Sequence, residues 1–535
     1  MFPLLILLVA APVGCKPPSV RPEPQSPSDY ALTVRVLPSA GRLEVKGTVR
    51  IPPADSERAE LGCSLSPRMS AMQVEVVEPS VSAGTARLER VDSGDRPRVE
   101  GERGNVKWVL RPQRPIPPGQ STLVKFSYEG SGEAGFIHYV GPEVAFASGW
   151  GDYWYPVFEG TSGTTGALTV HVPDGWTTVT GKPGSAHFTF IAGPYTVVRR
   201  EGTVPLTAYL LSPRAQIDKY LADVASMVNV LSAEFGPFAF DELLLVEVPR
   251  ELAIRAGFNA FSPAGMVVLN SRAFDVPEVK YLLEWLGHEI GHQWFPHAVT
   301  WDPPGFLYLE EALAEYGGLR VVEELAGPEA ARRTRTSGFE YDPIYSASAY
   351  FKQVGAGVDR PLADMDSGID QRNLAYNKGA LVFDMLSREV GRATMQRVFH
   401  DLTRGRQFQT ITWTDFVKAV TARSSQNLDW FFEQWLERAG APDFQLSWTE
   451  SDGSVRVTVT QPAPFYRAHL KVEIRGDKED QPLIQVVDIS GPRTELTITP
   501  GFPARSVVLD PDYEVLRWTP EFRAMADAAR SAPRP

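Results

Sequence analysis

Cysteine is scarce in this chain of 535 residues, which contains only Cys15 and Cys63. If Cys15 is modified, as argued below, Cys63 has no partner and an intramolecular disulfide is excluded. Cys63 is interpreted as a small buried hydrophobic residue. The composition, with 43% hydrophobic and 22% charged residues, is that of a globular protein rather than a disordered one. At this length we expect three or four domains.

Positive charge is also in short supply. The 53 Lys and Arg residues are outnumbered by 65 Asp and Glu residues, which gives a formal net charge of -12. Binding to phosphates needs a basic face, and no long run of Lys or Arg exists, so we expect no nucleic-acid partner. The densest basic cluster is Arg332, Arg333 and Arg335, which is interpreted as a solvated helix face.

The apolar run at the N terminus has about a dozen residues, which is too few to span a bilayer and is typical of an export signal. Gly14 followed by Cys15 resembles a bacterial lipoprotein signal, in which that cysteine is lipidated. We therefore expect residues 1–14 to be a signal peptide and the Pro/Ser-rich residues 15–28 to be a tether. The protein is then expected in the bacterial cell envelope, in the periplasm or on the outer surface, and held at a membrane by its lipid.

Hydrophobic periodicity divides the rest of the chain into three parts. Short runs that alternate apolar and polar residues, each closed by Pro or Gly, predict strands over residues 29–205. Apolar residues then recur every three or four positions, which predicts a mostly helical part over residues 206–440. Strand alternation returns over residues 441–519, and residues 520–535 are left as a tail. No internal repeat is evident.

The segment "HEIGH" places His288 and His292 four positions apart, with Glu289 directly after the first, in a chain of only eight histidines. On a helix both imidazoles lie on one face, so they can bind one ion, and this is the zincin motif. Catalytic zinc takes three protein ligands and leaves one position open. Glu311, on a second predicted helix nineteen positions after His292, supplies a third. The alternative is an amphipathic helix with hydrogen-bonded core histidines.

The longer segment "HEIGHQWF" matches the zinc helix of the aminopeptidase N family of metallopeptidases, the gluzincins, at every fixed position. This resemblance implies one Zn²⁺ per chain bound by His288, His292 and Glu311, although the usual Asn-Glu-Gly is here Glu310-Glu311-Ala312. It implies a catalytic tyrosine, Tyr376, at the head of "YNKGA". It also implies a multidomain fold: an N-terminal all-β domain, a thermolysin-like, mostly α catalytic domain and a C-terminal β-sandwich domain.

The ligand set and the resemblance together imply hydrolysis of a peptide substrate. Zinc in such a site lowers the pKa of a bound water toward ~7. Glu289 is expected to accept the proton of this water and to pass it to the leaving amine. Tyr376 is expected to share the oxyanion with the zinc. Glu315, one helical turn after Glu311, either orients a ligand histidine or is a solvated helix residue.

The chain departs from the family where a glutamate of a Gly-x-Met-Glu-Asn loop binds the free amine of the substrate. Alignment at Gly265 puts Ser262 in place of that glutamate, and both residues are candidates for substrate binding. Glu247 and Glu251 are possible substitutes, or else ordinary surface charges. Three functions therefore stay open: an aminopeptidase, a zinc hydrolase of other selectivity (an endopeptidase, or one acting on other amides or epoxides), and a lipid-tethered binding scaffold with structural zinc.

Overall fold

The structure is a computed structural model, which describes residues 28–91, 105–149, 152–159, 161, 164–182, 187–276, 278–301, 306–338, 346–364, 373–477 and 482–531. The predicted signal peptide and Cys15 lie outside the described residues. The chain divides into two compact units: residues 1–225 with 240–277, and residues 226–239 with 278–535. Of the helices described, none is both long enough and apolar enough to cross a membrane.

The alternating segments of the first unit form strands, and in several of them buried residues alternate with more exposed ones, as the period of two requires. In chain order the strands are β1 Ser28–Leu37, β2 Arg42–Ile51, β3 Leu61–Leu65, β4 Met69–Glu78, β5 Gly84–Thr85, β6 Arg87–Val91, β7 Val106–Arg111, β8 Thr122–Ser131, β9 His138–Val140, β10 Ala145–Ser148, β11 Val157–Phe158, β12 Thr164–His171, β13 Thr177–Thr180, β14 Thr189–Gly193, β15 Thr196–Arg200 and β16 Leu206–Leu210.

Two of its sheets enclose the main core of this unit. The larger sheet has the order β12-β1-β2-β8-β4-β5 and the smaller one the order β11-β3-β7-β6. Buried side chains of both, such as Val45 and Phe126 from the larger sheet and Leu110 from the smaller, form one hydrophobic cluster. Cys63 belongs to this cluster, as predicted, and burial raises the pKa of its thiol to about 12.

A second core forms around a buried strand that the sequence also predicts. Four further elements contribute to it: β17 Leu243–Val248, helix α2 Arg250–Arg255, β18 Ala260–Phe261 and β19 Met266–Asn270. The core lies among helix α2, a sheet of order β13-β14-β10-β9 and a sheet of order β15-β16-β17-β19-β18. β16, β17 and β19 run parallel, and every residue of β17 is buried, which is typical of an interior parallel strand. The boundary predicted at 205 falls between the paired strands β15 and β16.

The helical part of the second unit follows the predicted periodicity. Its elements are α1 Ile217–Phe235, of which the part from Ser226 belongs to this unit, α3 Leu283–Gly291, β20 Val299–Trp301, α4 Phe306–Ala326, α5 Pro328–Ser337, α6 Ala347–Gly355, α7 Ala380–Val390, α8 Arg392–Gly405, β21 Gln409–Ile411, α9 Trp413–Ser424 and α10 Asp429–Leu436. Two π-helical turns, Gln293–Ala298 and Ala375–Gly379, follow α3 and precede α7. Short 3-10 turns cover Pro38–Ala40, Ser80–Ser82, Ser271–Phe274, Val279–Leu282 and Leu362–Asp364.

The C-terminal part returns to strands, so the predicted order of β, mostly α and β regions is confirmed. Two antiparallel sheets have the orders β22-β23-β26 and β25-β24-β27, with strands β22 Gln445–Ser451, β23 Ser454–Thr460, β24 Ala468–Arg475, β25 Leu483–Ile489, β26 Arg493–Ile498 and β27 Ser506–Leu509. A helix that the sequence analysis did not predict, α11 Pro520–Ser531, lies in the segment left as a tail. Its Phe522 ring stacks on Phe351 of α6 with centroids 5.2 Å apart.

The interpretation of the Arg332 cluster as a solvated face is wrong for one of its members. Arg335 is buried, and its Nε donates to Asp384 Oδ2 at 2.9 Å. The helical period places Arg335 on the inner face of α5, where a buried carboxylate compensates its charge. Arg332 and Arg333 do lie toward solvent.

Helices α3 and α4 touch through their backbones, and this contact sets the position of the functional site. A Cβ atom added to Gly318 would lie 2.5 Å from the carbonyl oxygen of Glu284. One added to Gly287 would lie 3.1 Å from the Cα of Gly318, and one added to Gly291 would lie 3.2 Å from the Cα of Ala314. Only residues without a large side chain allow this approach.

We expect the change Gly318→Ala to destabilise the protein by about 1–3 kcal/mol, because the added methyl group overpacks a contact with backbone that cannot move aside. Gly405→Ala is the matched control, since a Cβ at the end of α8 would meet nothing within 4 Å. The free energy of unfolding from urea titrations measures both. Equal stability of the two variants would contradict the close contact of α3 and α4.

Candidate metal centre and active site

Three side chains from two helices converge on one point. His288 is in the last turn of α3, His292 caps its end, and Glu311 comes from the beginning of α4. The two Nε2 atoms are 3.1 Å apart, and Glu311 Oε2 lies 3.6 Å from His288 Nε2 and 3.4 Å from His292 Nε2. Ligand atoms of a tetrahedral zinc, each about 2.0–2.1 Å from the metal, are separated by about 3.3–3.4 Å. The donor set therefore fits zinc in both chemistry and spacing.

The remaining ring nitrogens hold the two imidazoles in this orientation. His292 Nδ1 donates to the carbonyl oxygen of Phe295 at 3.1 Å, while His288 Nδ1 lies 2.9 Å from Glu315 Oε2. Such partners fix the tautomer of a metal-binding histidine, because a proton on Nδ1 leaves the lone pair on Nε2. Glu315 is buried, so it is not the solvated residue that the sequence left as an alternative.

The local sequence explains why a carbonyl is available to His292. Pro296 has no N–H group and cannot continue the helix. The backbone leaves the helical conformation at Phe295, with φ -131° and ψ 108°, inside the π-helical turn that follows α3. The Phe295 carbonyl is thereby freed from helical pairing and accepts the hydrogen bond from His292.

Carboxylates control the charge of His292. Burial acts to lower the pKa of its imidazole, but hydrogen bonding and charge from Glu311, together with the charges of Glu289 and Glu310, outweigh burial and raise this pKa to about 9. In the metal-free protein His292 is therefore an imidazolium at neutral pH. A metal ion must displace this proton to bind.

Glu289 and Tyr376 are both buried beside the three convergent side chains. Glu289 follows His288 on α3, is fully buried and acts electrostatically on His292. Tyr376 lies in the π-helical turn before α7, and its ring centroid is 5.5 Å from that of His288. The ring thus faces α3 rather than only its own helix. Turns of this kind, which carry one extra residue, are frequent at functional sites.

The two candidate substrate-binding residues lie in the first unit, in the turn between β18 and β19. Gly265 has φ +71°, and a Cβ at this position would collide with the side chain of Lys182. The turn therefore explains this glycine without a substrate. The roles of Ser262 and Gly265 in substrate binding remain predictions.

The two proposed substitutes for the missing glutamate differ in their surroundings. Glu247 is buried and neutralised, because Arg214 Nη2 donates to it at 2.7 Å and the backbone N–H of Leu211 at 2.8 Å. Its charge is thus already compensated within its own unit. Glu251 is exposed.

Sequence reasoning missed the backbone features of the site. The Phe295 carbonyl has no sequence signal, because any residue type supplies a carbonyl. The close contact of α3 and α4 does have one: Gly287 and Gly291 are four positions apart, and Ala314 and Gly318 repeat that spacing on the second helix.

Comparison with known proteins agrees with this geometry. Residues 261–435 match the peptidase family M1 domain. This segment includes the three convergent side chains, Glu289 and Tyr376. This part of the chain is similar to M1 peptidase domains. The predicted relation to the aminopeptidase N family is thereby confirmed.

Several curated aminopeptidases are similar to parts of the chain. "Aminopeptidase N" of Streptomyces lividans is 24% identical over 352 residues, which are 57% of this chain and 39% of the relative. "Probable aminopeptidase 1" of Sulfurisphaera tokodaii is 21% identical over 255 residues, covering 45% of this chain and 31% of the relative. "Aminopeptidase N" of Lactococcus lactis is 25% identical over 174 residues, 29% of this chain and 18% of the relative. The chain thus matches well under half the length of each of these relatives.

We expect the metal-free protein to bind one zinc ion per chain and to release about one proton from His292 at pH 7, because binding needs the neutral imidazole. The part of this release that comes from His292 should disappear as the pH rises through about 9, which leaves only the proton lost by zinc-bound water, and affinity should weaken as the pH falls. Titration calorimetry in buffers of different ionisation enthalpy measures this proton. Zinc uptake at pH 7 without proton release would contradict the charge state of His292, and His292→Ala should abolish tight binding.

Proposed function

We propose that this chain is a zinc-dependent metallopeptidase with aminopeptidase-like activity. The observation that carries the proposal is the convergence of His288, His292 and Glu311 on one point beside the buried Glu289, within an M1 peptidase domain. The names of the similar proteins, all from the aminopeptidase group just described, support a peptide substrate.

Each side chain of the site has a separate role in the proposed hydrolysis. Zinc, when bound, would polarise the substrate carbonyl and lower the pKa of a water toward ~7. Glu289 accepts the proton of the attacking water and delivers it to the leaving amine. The hydroxyl of Tyr376 donates to the oxyanion, a contribution worth about 3 kcal/mol. Glu315 keeps His288 oriented through its Nδ1.

The finer architecture and the location are part of the same proposal. The helical part is a thermolysin-like catalytic domain, residues 206–440, between an N-terminal β domain, 29–205, and a C-terminal β-sandwich, 441–519. Export by residues 1–14 and lipidation of Cys15 would place the enzyme outside the cytoplasm, with residues 15–28 as the tether to a membrane. Peptides that reach the cell envelope are then its substrates.

A hydrolase of other selectivity is the second candidate. It is favoured by Ser262, which stands where the family binds the substrate amine with a glutamate, and by Glu247, whose charge is neutralised by Arg214. A charged amine in a desolvated cleft needs a counter-charge. A scaffold with structural zinc is disfavoured, because a fully buried Glu289 beside the ligands is costly and such a scaffold has no use for it.

We expect Glu289→Gln to lower turnover by about 10²–10⁴-fold, because the amide cannot accept the proton of water. Zinc content should stay at one per chain.

Tyr376→Phe should lower kcat by about 10²–10³-fold through the loss of one oxyanion donor. Both are measured on peptide substrates with metal analysis of the same samples. Glu437→Gln, an exposed glutamate on the same unit, is the control. Undiminished function in Glu289→Gln would support a scaffold instead.

A panel of peptides with free and N-acetylated termini separates the first two candidates. If the enzyme is an aminopeptidase, it should release single residues from free peptides, and acetylation should remove the activity because it abolishes the charge of the terminal amine. Cleavage is followed by mass spectrometry. Turnover of the blocked peptides alone, or cleavage within the chain, would make the second candidate the correct one.

A further inference from the structure

Lys378, two residues after Tyr376, is completely buried. Lysine is almost never fully buried unless it is paired. The Lys378 Nζ donates to the carbonyl oxygen of Arg438 at 3.1 Å and lies 5.6 Å from the centre of the Tyr350 ring, and the charge of the Asp359 carboxylate also acts on this ammonium. Burial lowers the pKa of this ammonium to about 8. A buried charge of this kind needs a structural or functional reason.

The carbonyl that Lys378 binds belongs to a fixed segment, residues 438–440, at the junction between α10 and the C-terminal strands. The backbone N–H of Gly440 donates to Asp359 Oδ2 at 2.6 Å, and the Tyr350 hydroxyl donates to the same oxygen at 3.0 Å. The junction segment and the Tyr350 ring near Lys378 therefore share one hydrogen-bond acceptor, the half-buried carboxylate of Asp359. Lys378 therefore donates to a segment that is itself hydrogen-bonded to Asp359.

The π-helical turn Ala375–Gly379 is fastened a second time by the residue between Tyr376 and Lys378. Asn377 Oδ1 accepts the backbone N–H of Ser346 at 3.0 Å, and Asn377 Nδ2 donates to Gln353 Oε1 at 3.0 Å. Two successive side chains thus tie the turn to its surroundings, while Tyr376 faces His288.

We infer that Lys378 is a positioning residue, which holds the hydroxyl of Tyr376 at the metal centre by fastening the π-helical turn to the carbonyl of Arg438. A π turn carries one residue more than the same stretch of regular α-helix, and a shift of one residue rotates side chains by about 100° about the helix axis. Catalytic groups tolerate little displacement, since an error of about 1 Å can cost on the order of 100-fold in rate. The inference rests on the proposed function, because only in that function does the placement of Tyr376 affect a rate.

The kinetic test uses Lys378→Met, Lys378→Gln and, as matched control, the exposed Lys418→Met. Lys378→Met should lower kcat on peptides by about 10- to 100-fold with little change in KM or zinc content, since neither substrate binding nor the ligands involve the ammonium. Lys378→Gln, which keeps a donor for the Arg438 carbonyl, should recover much of kcat. Lys418→Met should match the parent protein.

A double-mutant cycle separates positioning from general destabilisation. In the Tyr376→Phe background, Lys378→Met should cause little further loss of kcat, because no hydroxyl remains to be positioned. If Lys378→Met lowers kcat by the same factor in both backgrounds, the effect does not pass through Tyr376 and the inference is overturned.

Hydrogen exchange gives a readout that does not depend on activity. Backbone amides of residues 375–379 should exchange faster in Lys378→Met and Lys378→Gln should restore their protection, whereas amides of α3 should be unchanged. Unchanged exchange in the turn would overturn the role of Lys378 even if the enzyme is active. Two other results would count against the proposed function: a parent protein that does not hydrolyse peptides, and full turnover in Tyr376→Phe. In either case the exchange data still decide whether Lys378 fixes the turn.

Discussion

Backbone contact between α3 and α4 is the constraint on which the candidate metal centre depends. Two helices can offer ligands to one ion only if their axes lie close enough for short side chains to meet. Here Gly318 of one helix lies against the carbonyl of Glu284 in the other, and Gly291 lies against Ala314. The distances of 3.1–3.6 Å between the three ligand atoms follow from this approach. A larger residue in the contact would separate donors that the chain otherwise places correctly.

The opposite side of α4 is held by charge. Burial acts to raise the pKa of Asp384, but the guanidinium groups of Arg335, Arg388 and Arg392 outweigh it and hold this pKa well below its usual range. Glu323 of α4 joins the same network through ion pairs to Arg335, Arg388 and Arg392. Removing one member of such a buried network leaves an uncompensated charge, which is strongly unfavourable. α4 is therefore fixed on one face by packing of small residues and on the other by ions.

The sequence predicted those parts of the fold and site that depend on side-chain pattern. The spacing of His288, His292 and Glu311 predicted their convergence, and hydrophobic periods predicted the order of β and helical regions. Helix α11 was not predicted, because its stability comes from contacts such as Phe522 on Phe351, which are distant in sequence. The burial of Arg335 was missed for the same reason. The π-helical turn around Tyr376 depends on backbone geometry and on Lys378 reaching a carbonyl sixty positions away, neither of which has a local signature.

The unit that contains the candidate metal centre is not a continuous length of chain, since residues 226–239 belong to it and residues 240–277 do not. Phe235, near the end of α1, is fully buried, and its ring contacts those of Trp294, Phe295, Tyr316 and Phe399. A fragment that begins at residue 278 would lack the Phe235 ring, which leaves a cavity at the centre of its aromatic core. The unit that contains the candidate metal centre therefore depends for its aromatic core on residues 226–239, which are joined to the rest of that unit only through the strands of the other unit.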